Sequence, residues 1–335
     1  MKTSILLSVG VSICLLTSCV GKVQKLTVPE PKPFSEHAVF PIDELVNPGM
    51  MAFCHDKLVL VNMPRGKKDL LYFYEPSDMS LCFSTLKLGK GNQEVVDMNP
   101  AFFRETADGF LLNTRNWMGI ASFKMDEAGI EKLDEFAVAT EPMNHLLMMD
   151  DGTFIYKEMH SDRPFTSQVR GGDPVPFGEF PKAFISNGGA SDLFNMFEYS
   201  LASSSDGNMM AFFQFVPKMR IYRGTRLLSE CEYEAIPQKV SSLDNFYEGA
   251  NTSIYFLSPQ SIGNHVYVVF VNKTMEQLEE NMSMQLLQMD EKGAVLSSWT
   301  IEDMFPVFSV SPDEQYFYAY KETDEAGEIH RFKLN

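Results

Sequence analysis

The stretch Val307-Phe308-Ser309-Val310-Ser311-Pro312-Asp313-Glu314-Gln315-Tyr316-Phe317-Tyr318-Ala319-Tyr320 reads as a short apolar strand, a tight turn and an aromatic-rich second strand. Proline presets the turn's φ and Asp hydrogen-bonds its own backbone, so Pro312-Asp313 folds two β-prone runs into a hairpin. Five comparable units lie upstream. In each, a first strand, a turn and a strongly apolar second strand follow one another. The units are Met50 to Phe53, His55-Asp56, Leu58 to Val61; Ala101 to Arg104, Asp108-Gly109, Phe110 to Asn113; and Leu146 to Met149, Asp150-Asp151-Gly152, Thr153 to Tyr156. They continue with Tyr199 to Ala202, Ser205-Asp206-Gly207, Met209 to Phe213; and Ser253 to Leu257, Gly263-Asn264, Val266 to Val271.

The turn residues Asp56, Asp108, Asp151, Asp206, Asn264 and Asp313 fall 43 to 58 residues apart. Two further strands fit inside most of these intervals, and four strands per repeat of this length is the signature of a β-propeller. The second strands are apolar at consecutive positions, which suits a sheet covered on both faces by neighbouring blades. The sixth unit supplies only three strands. An orphan strand at Ala38 to Ile42 can add the fourth, closing the ring and removing a free sheet edge. The expectation is all-β: a six-bladed propeller of four-stranded antiparallel blades over residues 35–335, its last blade closed by an N-terminal strand.

Composition narrows the partners. Of 335 residues, 22% are charged and the net charge is −17, which repels phosphate backbones and makes nucleic acid a poor partner. Cys54, Cys82 and Cys231 sit among apolar neighbours; their odd number cannot close fully into disulfides, and they read as small buried hydrophobes. The Met50-Met51, Met148-Met149 and Met209-Met210 pairs read as core filler, not as a metal trap.

The N-terminus is a separate signal. Lys2 precedes the apolar run Ile5 to Leu16, too short to span a bilayer in the mature protein, and the run ends in Leu16-Thr17-Ser18-Cys19. That ending resembles a bacterial lipobox. The resemblance implies a signal peptide over residues 1–18, lipidation of Cys19, and anchorage in the outer membrane with the periplasmic face favoured and the cell surface possible. Residues 19–34, with Pro29, Pro31 and Pro33, then read as an extended, lipidated tether.

The whole mature chain resembles the TolB-like six-bladed β-propeller lipoproteins of Gram-negative bacteria. Ser311-Pro312-Asp313 and Ser204-Ser205-Asp206-Gly207 are similar to their Ser-Pro-Asp-Gly turns, and Lys218-Met219-Arg220-Ile221-Tyr222 to the strand that follows. Gly89-Lys90-Gly91-Asn92-Gln93-Glu94 resembles their glycine-rich connection without its usual proline.

No nucleophile elbow, zinc helix, calcium loop or phosphate loop occurs in the sequence. The polar residues expected at the entrances of the first strands are Asn99, Asn144, His145, Glu198, Glu248, Asn251 and Asp303, with Asn47 comparable. They can ring a central channel and bind a ligand; in lactonase-type propellers, which this architecture resembles, such residues hold Ca²⁺ and assist hydrolysis. Strand-end capping accounts for the same residue types. The long connection between Phe180 and Tyr199 carries Phe194, Met196 and Phe197, which either line a binding face or plug a channel mouth. The leading expectation is a membrane-anchored, non-enzymatic module that binds a protein or glycan through its inter-blade loops; the alternative is a calcium-dependent hydrolase of the lactonase type.

Overall fold

The computed structural model describes residues 23–335 except 44–45, 64–67, 92–93, 127–128, 159–160, 183–195, 241 and 324–326. The predicted signal peptide and Cys19 lie outside the described residues. Six four-stranded antiparallel sheets account for the body of the chain. Their inner strands are Pro48–Cys54, Asn99–Thr106, Asn144–Met148, Tyr199–Ser203, Ser253–Ile262 and Val307–Val310, and each touches the next around a closed ring. We number the blades I to VI in that order.

Each blade alternates in direction from the axis outwards, as in blade I, where Pro48–Cys54, Lys57–Asn62, Leu71–Tyr74 and Leu81–Thr85 follow one another. The second and third strands are buried on both faces: Lys57–Asn62 is buried from Leu58 onwards, and Leu71–Tyr74 throughout. The described core divides into six apolar clusters, one at each blade interface. Burial between blades, not within a single blade, is therefore what selects the consecutive apolar runs.

Closure follows the expected route. His37–Ile42 pairs antiparallel with Gly327–Lys333, so blade VI takes its outermost strand from the N-terminus. The preceding segment is extended but not free. Val23–Leu26 runs parallel to Arg226–Tyr233 as a fifth strand on blade IV, and Lys32 bridges Trp299 on the outer edge of blade V. Phe34 then stacks between Trp299 and Phe317.

One expectation is corrected. Cys54 and Cys231 are buried, but Cys82 is exposed, because Leu81–Thr85 is the outermost strand of blade I and has no neighbour on its far side. Met209-Met210 is buried on the second strand of blade IV, as core filler should be. Two short helices, Leu243–Glu248 and Met275–Glu280, lie between the strands of the otherwise all-β body.

Candidate functional site

All inner strands enter from the end of the ring that carries the long connections, and there the axis opens into a cavity of about 350 Å³. Its polar lining comes from Asn99, Trp117, Asn144, His145, Ser200, Ser258 and Gln260. At the opposite end, beside the first hairpins, lies a second cavity of about 540 Å³. The two share Met50, Leu146, Leu201 and Gln260, so they are the mouths of one axial channel. Gln260 spans blades V and VI between them, donating to the Phe308 carbonyl at 2.5 Å.

The entry mouth is built around one carboxylate. His145 stands at φ +50° on the inner strand of blade III and donates from Nε2 to Glu198 Oε1 at 2.5 Å. Lys157, last residue of Phe154–Lys157 and only 1% exposed in its side chain, donates to Glu198 Oε2 at 2.9 Å. Its ammonium also lies 5.2 Å from the Tyr199 ring centroid.

Burial pushes the Glu198 carboxyl up, but the contacts to His145 and Lys157 outweigh it and hold the group at about 2. Burial pulls Lys157 down against the same contact. These tendencies oppose each other. We take the ionised pair as the resting state, since Glu198 keeps 29% of its side chain in water and accepts from two donors.

Trp117 was not singled out from the sequence. It sits in the turn between the second and third strands of blade II, where Arg115, Asn116 and Trp117 have φ of +58°, +55° and +65°. Three successive left-handed residues are disfavoured by roughly 1–2 kcal/mol each. Contacts over-determine the turn: Asn116 N–H donates to Asp97 Oδ2 at 2.5 Å and Met143 N–H to the Trp117 carbonyl at 2.9 Å. The result is an indole 37% exposed at the rim of the cavity. The sequence did hold a trace of it: one of the chain's two tryptophans falls in a polar turn between apolar strands.

The predicted site residues divide. Asn99, Asn144 and His145 converge on the entry mouth, and Glu198 joins them through His145. Asn251 lies in an exposed turn before blade V, and Glu248 ends the helix Leu243–Glu248. Asp303 is paired with Lys321 in blade VI and does not line the cavity. Asn47 accepts from Met63 N–H through its carbonyl and donates its own N–H to Asn62.

Phe194 lies outside the described residues. Met196 and Phe197 are fully buried, Phe197 stacking on Phe180 at 5.8 Å, so they pack in the core between blades III and IV and face no ligand.

The donor set does not fit calcium, which takes 6–8 oxygens including carboxylates. Among the described residues, the cavity lining holds no carboxylate; Glu198, which joins it through His145, has one oxygen engaged by the His145 imidazole and the other by the Lys157 ammonium. The Asn99 amide oxygen already accepts from Ala101 N–H at 3.0 Å. What the mouth presents instead is a polar surface of amides and hydroxyls beside an exposed aromatic ring.

These features define a six-bladed β-propeller with a ligand-sized opening on its axis. No protein-family profile matches the chain, and no curated protein matches it. Solved structures do. A Bacteroides fragilis protein whose name marks it as exported aligns with a TM-score of 0.59 at 11% identity, over 93% of this chain and 99% of that one. A member of the DUF4221 family from Bacteroides vulgatus aligns with a TM-score of 0.61 at 10% identity, over 90% and 97%. At such identities the likeness is one of fold.

Proposed function

We propose that this chain is an exported binding module of the bacterial envelope that takes a terminal sugar of a neutral glycan at the entry mouth of its channel. The observation that carries this reading is the pairing of an exposed indole, Trp117, with the amides of Asn99 and Asn144 around a cavity of about 350 Å³. A sugar ring offers an apolar C–H face to stack on an aromatic plane and hydroxyls that both donate and accept, which amides match. Pockets of this size sit at the small end of ligand sites, which suits one or two rings and not a long chain. The Glu198 carboxylate is already paired with the Lys157 ammonium and is not offered to a cationic ligand.

Location belongs to the same proposal. The lipobox-like Leu16-Thr17-Ser18-Cys19 supports a TolB-like lipoprotein anchored in the outer membrane by Cys19, and the likeness to a protein named as exported agrees with secretion. The acidic balance of the chain leaves nucleic acid outside this reading. Binding to an array of neutral oligosaccharides tests the ligand class: native protein should retain one structural class, and Trp117→Ala and Asn144→Ala should each lose it. Retention of peptides alone, or of sugars equally by all three proteins, would end the proposal. For the anchor, Cys19→Ala should move the protein from the membrane to the soluble fraction; unchanged fractionation would refute it.

A further inference from the structure

At the other end of the ring, the first hairpins of blades I and II bring together side chains that the entry mouth does not use. Cys54 ends the inner strand Pro48–Cys54 with its thiol buried. His55 and Asp56 form the two-residue turn that follows, at φ +46° and +62°. Such a turn needs positive φ at both positions and is ordinarily filled by Asn-Gly or Asp-Gly. Glu105, next to last on Asn99–Thr106, reaches across from blade II, and its Oε1 accepts from His55 N–H at 2.5 Å.

We propose that Cys54, His55 and Glu105 form a binding site for a divalent transition metal of the zinc class, joining blades I and II. One donor atom from each of the three residues lies within 4.8 Å of the others. His55 Nε2 and Glu105 Oε1 are 3.9 Å apart. Tetrahedral zinc, with bonds of about 2.0–2.3 Å, places its donors roughly 3.3–3.8 Å from one another. Between His55 and Glu105 the required contraction is small, and their half-exposed side chains can make it by rotation as His55 Nε2 leaves the Thr106 carbonyl it now contacts at 3.2 Å.

The donor types select the metal. One sulfur, one imidazole and one carboxylate suit zinc or cobalt; calcium and magnesium demand oxygen. The fourth position opens onto a shallow depression lined by Asp56, Thr106 and Ala107, where water can complete the sphere. On binding, the Cys54 S–H bond breaks, its proton passes to water and the sulfur–metal bond forms. The Glu105 contact to His55 N–H stays available as the support that orients a liganding carboxylate.

Titration of the purified protein with Co²⁺ tests the site. One equivalent should raise a near-ultraviolet thiolate-to-cobalt charge-transfer band, and Zn²⁺ should abolish it by displacement. The band should be lost in Cys54→Ala and kept in Cys82→Ser, which removes the exposed thiol. Cys54 is a core position, so two surface variants carry the test if Cys54→Ala fails to fold. His55→Asn suits the same turn and Glu105→Gln is isosteric; each should weaken Co²⁺ binding about tenfold or more. No band, a band that survives Cys54→Ala, or equal affinity in His55→Asn and Glu105→Gln would overturn the proposal.

Discussion

Replacing Glu198 by Gln tests how the entry mouth is held together. The substitution keeps the shape of the side chain and removes its charge, taking from Lys157, 1% exposed in its side chain, the carboxylate its ammonium donates to. Stripping one partner from a buried pair costs about 3–5 kcal/mol. Glu198 keeps 29% of its side chain in water, so solvent recovers part of that, and the expected loss is about 2–4 kcal/mol.

An unfolding entropy of about 2.1 cal/mol/K per residue over a roughly 300-residue propeller converts 1 kcal/mol into about 1.5 °C, so Tm should fall by about 3–6 °C. Calorimetry on the native and variant proteins reads this directly. Adding Lys157→Met should recover at least about half the loss, because the buried ammonium is then gone.

The pH dependence supplies a second arm. The unfolded Glu198 carboxyl titrates near about 4.3, and the folded one is held at about 2. Protons therefore bind the unfolded chain more readily between those values. The contribution is complete above about pH 4.3 and disappears as pH falls towards about 2, where native and Glu198→Gln should converge. A Tm within about 1 °C of native at neutral pH, or a double variant no more stable than the single, would refute the reasoning.

Three further outcomes follow from the same structure. A chain beginning at residue 43 lacks the closing strand His37–Ile42, which leaves the edge of Gly327–Lys333 unpaired; light scattering should then show more self-association than the native protein. The imidazole of His330 is pushed down by burial, opposed by Glu328 and reinforced by its neighbour His37, whose Nε2 lies 3.0 Å away. The unfolded chain takes up this proton more readily, so stability should fall as pH drops below about 6.5, and His330→Leu should flatten that slope in Tm measurements at pH 7.5 and 5.5. Among the described cysteines, burial lifts the thiols of Cys54 and Cys231 to about 12 and about 11, so a thiol reagent should modify exposed Cys82 alone until the protein is denatured.

The fold was legible because its signals are local and repeated. An Asp or Asn turn between apolar runs specifies a hairpin from a few residues, and six of them fix a ring. The closing strand was legible for the complementary reason that Ala38 to Ile42 had no partner in its own neighbourhood. Val23–Leu26 was not: its pairing with blade IV depends on an edge about 200 residues away, and Val-Gln-Lys-Leu carries no alternation to announce it. The helix Met275–Glu280 did leave a trace, since Thr274 and Gln277 form a capping box three residues apart.

The lining of the candidate site was legible in part. Asn99, Asn144 and His145 were found because strand entrances around an axis are set by topology. Lys157 and Trp117 escaped because their roles depend on which side chains the ring brings opposite them. Met196 and Phe197 misled for a physical reason: a long connection promises exposure, but these two side chains fill the core between blades.

The central claim, a glycan site at the entry mouth, can be read from the protein's own fluorescence. The chain has two tryptophans; Trp299 is 2% exposed on blade V and Trp117 is 37% exposed at the mouth. Titration with neutral oligosaccharides should shift the emission of Trp117 to the blue in a saturable way as a sugar ring covers the indole. The same titration of Trp117→Phe should leave the remaining emission unchanged. An emission that no oligosaccharide moves, or a shift that persists in Trp117→Phe, would contradict the account.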